Sequence, residues 1–429
     1  MKRRDFIKNS ALFASVTFLP ASVWANLRKK KVRTAHIGVG GMGASDLREI
    51  SSHPSVEVAA LCDVDAANLA AAGSHHPDAR LYSDYRRLFD ELGREIDAVV
   101  VSTPDHTHAP TALLAMEMEK NVYCQKPLTH YVTEARAMRK LAEEKKLVTQ
   151  MGIQIHSFRE YRSAVILIRS GIIGRVHTVR AWSPKNWGYD GPLPIGSDPI
   201  PETLDWNLWL GTAPERPYKR KIYHPVNWRK ILDFGCGTLG DMGVHIYDTP
   251  YTALDLDVLS TVKVSCREPN GFSHPEHNIV TYEFLGTEFT TDRLKWIWYD
   301  GPGAPGKHEE LELPGGASLP EQGTMFIGEQ GRLLLPHWDW PKLIVNGNYE
   351  KTEYPELEEA NHYHQFVDAC LGKDTCSAPF SYAARLTEAI LLGVVANRFP
   401  HRTLHWINQE SRFSEKEANA LLDRSYRAF

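Results

Sequence analysis

Six cysteines in 429 residues are too few and too scattered to staple a fold. Positions 62, 124, 236, 266, 370 and 376 form no C-x-x-C pair and no zinc-like spacing, so a disulfide scaffold and a zinc module are both disfavoured. Cys62 and Cys124 lie in apolar runs and read as inert buried thiols. Cys370 and Cys376 are the pair an oxidising compartment could join, which sequence leaves open. Basic residues are not in excess: 49 Lys and Arg stand against 53 Asp and Glu, so no electrostatic footprint for nucleic acid exists. No apolar run approaches the ~20 residues that cross a bilayer, and there is no internal repeat. Aromatic residues, by contrast, are plentiful, with 11 Trp and 17 Tyr. They serve either as core or as stacking surface for sugar rings. The length accommodates two domains and a large core.

The stretch Val32–Asp65 organises the chain. An apolar, β-branched run, Val32–Val39, stops at Gly38-x-Gly40-Gly41-Met42-Gly43, and helical spacing follows from Met42 to about Ser52. A second strand, Val56–Cys62, ends on Asp63, twenty residues after the last glycine. Each part has a use in holding a dinucleotide. Gly38 permits the tight turn, Gly40 lets backbone approach a pyrophosphate, and Gly43 lets the helix pack on the strand. The helix N-terminus offers unpaired N–H groups to the phosphates. A carboxylate at Asp63 accepts ribose hydroxyls and repels a 2′-phosphate, so the expected cofactor is NAD.

Residues 1–25 read as an export signal outside the fold. Lys2-Arg3-Arg4-Asp5-Phe6 precedes a short apolar run, Ala11–Leu19, and A-S-V-W-A ending at Ala25. Paired arginines with a nearby phenylalanine resemble a twin-arginine signal, so the expected location is periplasmic or secreted. That route carries folded protein, often with its cofactor already loaded.

Strand and helix alternate onward. Ala66–Gly73, Asp84–Leu92, Thr111–Lys120 and Thr133–Lys146 read as helices; Ile96–Ser102, Asn121–Gln125 and Leu147–Met151 read as strands. This predicts a doubly wound parallel sheet over residues 32–152, with ligands at the carboxyl ends of its strands. Two such ends stand out. Ser102-Thr103-Pro104-Asp105-His106-Thr107-His108 would run along the cofactor, and Gln125-Lys126-Pro127 would hold an amine at the crevice. His106-x-His108 has no acid or cysteine to complete a metal site, and no metal is expected.

Residues 153–381 have a different texture and read as a substrate and oligomerisation domain. Ser183–Tyr223 is long, irregular and rich in Pro, Gly and Trp, the character of a binding loop. Gln154, His156, Trp187, Tyr223, His224 and Trp228 supply the groups a carbohydrate site needs, or else anchor the loop. A glycine-rich run then leads into a helix from about Leu239, on which Asp241 and His245 share a face. An acid beside an imidazole supplies a general base of fixed tautomer. Val258–Ser265, Ile279–Phe284, Glu288–Thr291, Lys295–Trp298, Thr324–Ile327 and Arg332–Leu335 read as an antiparallel sheet. His362–Leu371 and Tyr382–Arg398 read as helices, the second packing back on the first domain, and residues 399–429 as a tail.

Together these pieces resemble the Gfo/Idh/MocA oxidoreductase family, across nearly all of the chain beyond the signal. The resemblance rests on Gly38-x-Gly40-x-x-Gly43, Thr103-Pro104 with His108, Lys126-Pro127, Trp206–Pro214, Trp228-Arg229, Asp241-x-x-x-His245 and Phe326–Gly331. It departs at Gln125, where the family has glutamate, and at Asp105, where it has asparagine. The resemblance implies a Rossmann domain followed by an α/β domain on an open, mostly antiparallel sheet that often joins subunits, hence a homo-oligomer. It implies hydride transfer at a sugar or polyol hydroxyl, with His245 taking the proton, Lys126 polarising the oxygen and Asp241 orienting the histidine. Trp228 and Arg229 would lie against the nicotinamide end, and residues 183–224 would choose the substrate.

Three readings follow. The first is an exported NAD-dependent oxidoreductase with a tightly held cofactor, since free NAD is scarce outside the cytoplasm. The second is a redox-assisted glycoside hydrolase, which oxidises, eliminates, hydrates and reduces with no net NAD turnover. It requires another acid/base, for which His156, Tyr223 or His224 could serve. The third is a non-catalytic sugar-binding protein, which intact Lys126, Asp241 and His245 disfavour.

Overall fold

The computed structural model describes residues 31–429; the export signal expected at 1–25 lies outside them. In chain order the first unit runs β1 (Val32–Ile37), α1 (Met42–Ser51), β2 (Val56–Cys62), α2 (Ala66–His75), β3 (Arg80–Tyr82) and α3 (Tyr85–Leu92). It continues with β4 (Ala98–Val101), α4 (Asp105–Glu117), β5 (Asn121–Gln125), α5 (Val132–Lys145) and β6 (Thr149–Gly152). The six strands pair in parallel in the order β3-β2-β1-β4-β5-β6. Val99, Val101, Val122 and Cys124 are fully buried, as strands covered on both faces require. The order reverses between β1 and β4, so a crevice opens outside their carboxyl ends. Asp65 and Asp84 cap α2 and α3 by accepting backbone N–H groups.

The second unit follows: α6 (Arg159–Arg169), β7 (Val176–Ser183), the short α7 (Trp206–Leu210), and a π-helical turn, Leu239–Gly243, that runs into α8 (Val244–Ala253). Then come β8 (Thr261–Ser265), β9 (Asn278–Leu285), β10 (Thr290–Asp300), β11 (Gly323–Gly328), β12 (Arg332–Pro336), β13 (Lys342–Val345) and β14 (Asn348–Glu350). The chain closes with α9 (His362–Cys370), α10 (Phe380–Ala396), β15 (Thr403–Ile407) and β16 (Arg412–Phe413) before a last short turn of helix. Ten strands form one open sheet, β14-β13-β12-β11-β7-β10-β9-β8-β15-β16, antiparallel except where β10 runs parallel to β7. Trp296 and Trp298 point from β10 into the core against Tyr247 of α8. Replacing either by alanine would cost roughly 3–5 kcal/mol.

The structure corrects several expectations. The end of Glu288–Thr291 and all of Lys295–Trp298 belong to one strand, β10, which starts at Thr290 and has an irregular register across the join. Helix α4 starts at Asp105, six positions before the expected Thr111, because Pro104 ends the strand side and Pro110 sits within the helix. The domain limits also shift. Helix α9 belongs spatially with the first sheet, not with 153–381: its Phe366 and Val367 bury against Val32, Ile50 and Tyr123. Helix α10 packs on α5, with Leu386, Ile390 and Leu392 fully enclosed. Residues 399–429 are more than a tail, since β15 joins the large sheet beside β8. A single apolar core runs from Leu88 and Met116 through Met151 to Trp296 and Leu404, so the two units share one core.

Candidate active site

Lys126 follows the last residue of β5, at the mouth of the crevice, with Pro127 behind it to stop the strand. Its Nζ donates to Asp241 Oδ1 at 2.8 Å and to the Asp241 carbonyl at 2.9 Å. The carboxylate is shared further: Arg229 Nε reaches Oδ1 at 3.2 Å and Trp187 Nε1 donates to Oδ2 at 2.6 Å. Arg229 lies between the faces of Trp228 and Trp187, 4.3 and 5.4 Å from the ring centroids. Burial alone would raise the Asp241 carboxyl. The Lys126 ammonium and Arg229 guanidinium beside it overcome that and hold it well below the usual carboxylate range.

His245 lies on the first turn of α8, beyond the π-helical turn that carries Asp241. Burial, then the positive Lys126, keeps its imidazole well below the ordinary histidine range, with Asp241 pulling weakly the other way. It is therefore neutral at neutral pH and able to accept a proton. The expectation that Asp241 would fix its tautomer is corrected. The Asp241 oxygens are engaged by Lys126, Arg229 and Trp187, and the His245 Nδ1 has no protein partner among the described residues. Asp241 orients the lysine; its effect on the histidine is through charge alone.

The glycine loop fits a dinucleotide. Gly38 has φ +81°, and a Cβ there would sit 2.6 Å from the Ser102 carbonyl oxygen. At Gly40 a Cβ would meet the Asn68 amide at 2.3 Å, and at Gly43 the Gly38 carbonyl at 2.0 Å. Gly41 precedes Met42 with no side-chain cap, and no acid occupies the first turn of α1, so its N–H groups remain for a phosphate. Asp63 ends β2 with Oδ2 accepting from Val39 N and Oδ1 from Asp65 N, both at 2.9 Å. These bonds aim it at the loop where an adenosine ribose would lie.

The remaining expected residues divide by location. Ser102 donates to Asp46 at 2.6 Å, and Gln125 donates to both Asp46 oxygens at 2.9 Å, so both side chains are held inward on a fully buried carboxyl of α1. Thr103 and Pro104 lead into α4 at the crevice, but His106 and His108 are scaffold. His106 bonds the Trp209 carbonyl within an aromatic cage, and the His108 ring sits between the carbonyls of Thr103 and Pro127, donating to one of them when neutral. Burial first, and then nearby positive charge, lowers His106 to about 3 and His108 to about 4. Both rings are fully buried against backbone carbonyls, which corrects their assignment as cofactor contacts.

Among the expected substrate residues, Tyr223 is corrected too. It is buried in the core of the 183–234 region, stacked on Trp206 and edge-on to Phe234. Trp228 belongs to the same cluster and meets the site only by stacking on Arg229. His224 lies 3.3 Å from Asp65, at the adenosine end, away from the reacting end. Gln154 donates to Tyr363 at 3.0 Å, against the first sheet. His156 is paired with Asp248 at 2.9 Å, one turn beyond His245 on α8; burial opposes its charge, but Asp248 prevails and raises its pKa. Trp187 does converge on Asp241. The sequence reading missed Asp46, Asn68 and His337, and it noted Asp105 only as a departure. Asp105 is buried beside Arg229 and Lys126, accepting from Cys236 N, and burial pushes it up to about 7. Polar residues in helices that should be apolar were the available signal for Asp46 and Asp105; His337 had none.

Residues 32–153 match the sequence model of an oxidoreductase family with an NAD-binding Rossmann fold, and residues 162–284 match that family's C-terminal alpha/beta domain. The chain belongs to the Gfo/Idh/MocA oxidoreductase family. Within this family it is 37% identical over 137 residues to a glycosyl hydrolase family 109 protein of Stenotrophomonas maltophilia, covering 29% of each. It is 32% identical over 145 residues to an inositol 2-dehydrogenase of Salmonella typhimurium, covering 32% of this chain and 42% of that one. The chain thus spans under half the length of these curated relatives. Its fold matches the WlbA dehydrogenase of Bordetella pertussis, solved with NADH and UDP-GlcNAcA (TM-score 0.62, 14% identity, 88% of this chain and 99% of that one). It also matches an aldose–aldose oxidoreductase of Caulobacter crescentus solved with glycerol (TM-score 0.60, 15% identity, 87% and 99%). The Gfo/Idh/MocA chain therefore carries an NAD-binding Rossmann domain and a second, mostly antiparallel sheet. Among the described residues no cluster of metal ligands occurs and no helix is long and apolar enough to cross a membrane.

Proposed function

We propose that this chain is an exported NAD-dependent oxidoreductase acting on a sugar or polyol hydroxyl, with the cofactor held tightly. The observation that carries it is Lys126, tethered by Asp241 at the end of β5 and electrostatically coupled to a neutral His245. NAD supplies the hydride acceptor when bound. Gly38, Gly40, the α1 N-terminus and Asp63 would hold it. His245 takes the hydroxyl proton, and Lys126 stabilises the negative charge that develops on that oxygen as its carbon loses hydride. The low pKa of Asp241 keeps a permanent counter-charge beside the lysine, so the amine stays fixed rather than drifting into solvent.

Export by the twin-arginine route is supported by Arg3, Arg4 and Phe6, and it favours a cofactor loaded before export. Assembly through the outer face of the large sheet is supported by exposed Ile279 and Leu285 on β9. A second reading, redox-assisted glycoside hydrolysis, draws support from the similarity to the family 109 glycosyl hydrolase. It requires the same three residues and a further group near the leaving oxygen.

Absorbance of the purified protein in the reduced-nicotinamide band separates the readings. Bleaching by a keto-sugar supports the oxidoreductase, and nitrophenol release from an aryl glycoside without added NAD supports the hydrolase. Lys126→Ala and His245→Ala are expected to lower either rate by at least ~10²-fold while NAD stays bound. Near wild-type rates in both variants would overturn the roles assigned.

A further inference from the structure

The turn after β12 brings a second imidazole to the site. The His337 ring centroid lies 6.1 Å from that of His245, and the positive charges of Lys126 and Lys185 act on it. Its backbone is anchored, with His337 N donating to the Gln322 carbonyl at 2.9 Å. Gln322 in turn accepts from Ser183 at the end of β7. Its side chain is fixed from behind by Tyr161 of α6, whose Oη is 2.6 Å from His337 Nδ1.

The polarity of that contact can be derived. Trp338 N–H points at the same Tyr161 oxygen, at 3.2 Å. The phenol accepts from Trp338, and His337 Nδ1 is the one acceptor in reach of its own proton among the described residues, so the hydroxyl is assigned as donor to Nδ1. A ring that accepts at Nδ1 carries its proton on Nε2, which has no protein partner among the described residues on this half-buried side chain. Burial, together with Lys185 and Lys126, pushes the imidazole down to about 4, so it is neutral at physiological pH and, with Nδ1 occupied by Tyr161, has its Nε2–H left to donate.

Trp338 completes the corner. It is 68% exposed, an unusual state for so large an apolar side chain, and its backbone sits at φ +71°, where a bulky residue is strained. Phe158 holds it edge-on at 6.2 Å and the His337 ring lies 5.6 Å away. An exposed aromatic face beside a neutral N–H donor is the pairing that recognises a hydroxyl-bearing ring, apolar C–H face against aromatic and oxygen against donor.

We propose that His337 and Trp338 form the substrate-recognition corner of this site: His337 Nε2–H donates to a ring hydroxyl oxygen of the substrate, and Trp338 stacks on the ring. The assignment rests on the sugar or polyol reading above. It also separates roles in that reading: His245 moves the proton, while His337 positions the ring and does not titrate in the working range.

The test uses NAD-loaded full-length protein and a panel of free monosaccharides, myo-inositol and p-nitrophenyl glycosides. Binding is read by tryptophan fluorescence and calorimetry, apart from turnover. His337→Ala is expected to weaken binding of the best panel member about tenfold, and to raise KM more than it lowers kcat. His337→Gln, which keeps a donor, should recover most of the loss, and Trp338→Ala should weaken binding with NAD affinity unchanged. Long-range nitrogen-15 correlation should show His337 neutral and protonated on Nε2 at pH 7, and Tyr161→Phe should loosen that preference. Equal binding by His337→Ala, an Nδ1-protonated His337, or no panel member bound by wild type would each overturn the proposal. Panel members that bind but are not turned over would count against the oxidoreductase reading alone.

Discussion

Asp105 opens α4 with its carboxyl buried and accepting from Cys236 N. Because burial raises it to about 7 while an unfolded aspartate titrates near ~4, the folded state binds the extra proton between those values. Its penalty is thus absent at low pH, grows as pH rises from about 4 to about 7, and is constant above that. Asp105→Asn keeps the acceptor and removes the titration. The melting temperature of the variant should gain on wild type across that window and then run parallel. Asp46 and Asp300, raised by burial to about 6 and 7, titrate in both proteins and cancel from the difference. A difference that is flat from pH 4 to 8 would refute the assignment. At the same scale, Gly43→Ala places a Cβ 2.0 Å from the Gly38 carbonyl. It should destabilise by about 2 kcal/mol through overpacking and weaken NAD binding in a fluorescence titration. Lys126, Asp241, His245 and Asp63 were legible because each closes or opens an element with recognisable spacing. Tyr223 and His106 misled because an aromatic or histidine in a Pro-rich stretch has the same composition whether it faces a ligand or fills a small core. His337 was invisible, since only the folding of the large sheet carries it to His245.

Among the elements, the segment after β16 acts as a strap across both units. Arg424 bonds the His106 carbonyl at 2.5 Å and Thr212 at 2.9 Å, and its Nε faces Glu134 of α5 at 3.6 Å. Arg427 reaches the Gly211 and Ala213 carbonyls. Glu134 is buried and also receives Tyr426 and the N–H groups of His130 and Tyr131. Arg424→Ala leaves that carboxylate without its cation, an effect of about 3 kcal/mol, visible as a drop in melting temperature with a smaller drop for Arg427→Ala. Equal melting of Arg424→Ala and wild type would sink this account. Elements with a strong pattern were read closely: β2 and β5 match their expected limits, and apolar α10 was placed and oriented. Short strands such as β13 and β15 were not, because four or five residues with polar alternates carry little periodic signal. The single strand β10 read as two because Asp292 and Arg293, exposed near its start, interrupt the apolar run.

For the molecule as a whole, the first sheet is not self-sufficient. Phe366 and Val367 of α9 and Phe380 of α10 cover it from the far end of the chain. A fragment of residues 31–153 is expected to lack a cooperative thermal transition, and joining residues 362–398 to it through a linker should restore one. A cooperative melt of the short fragment would contradict this dependence. Cys370, at the end of α9, and Cys376, six residues beyond it, are free, half-buried thiols in this structure.

That return of the chain sets an order of events during synthesis. Neither sheet can be sealed until translation has passed α10 and β15, so the nascent chain stays open up to that point. Val32, Ile50 and Tyr123 wait uncovered through that interval, and a stop codon anywhere before α9 leaves them permanently without their lid.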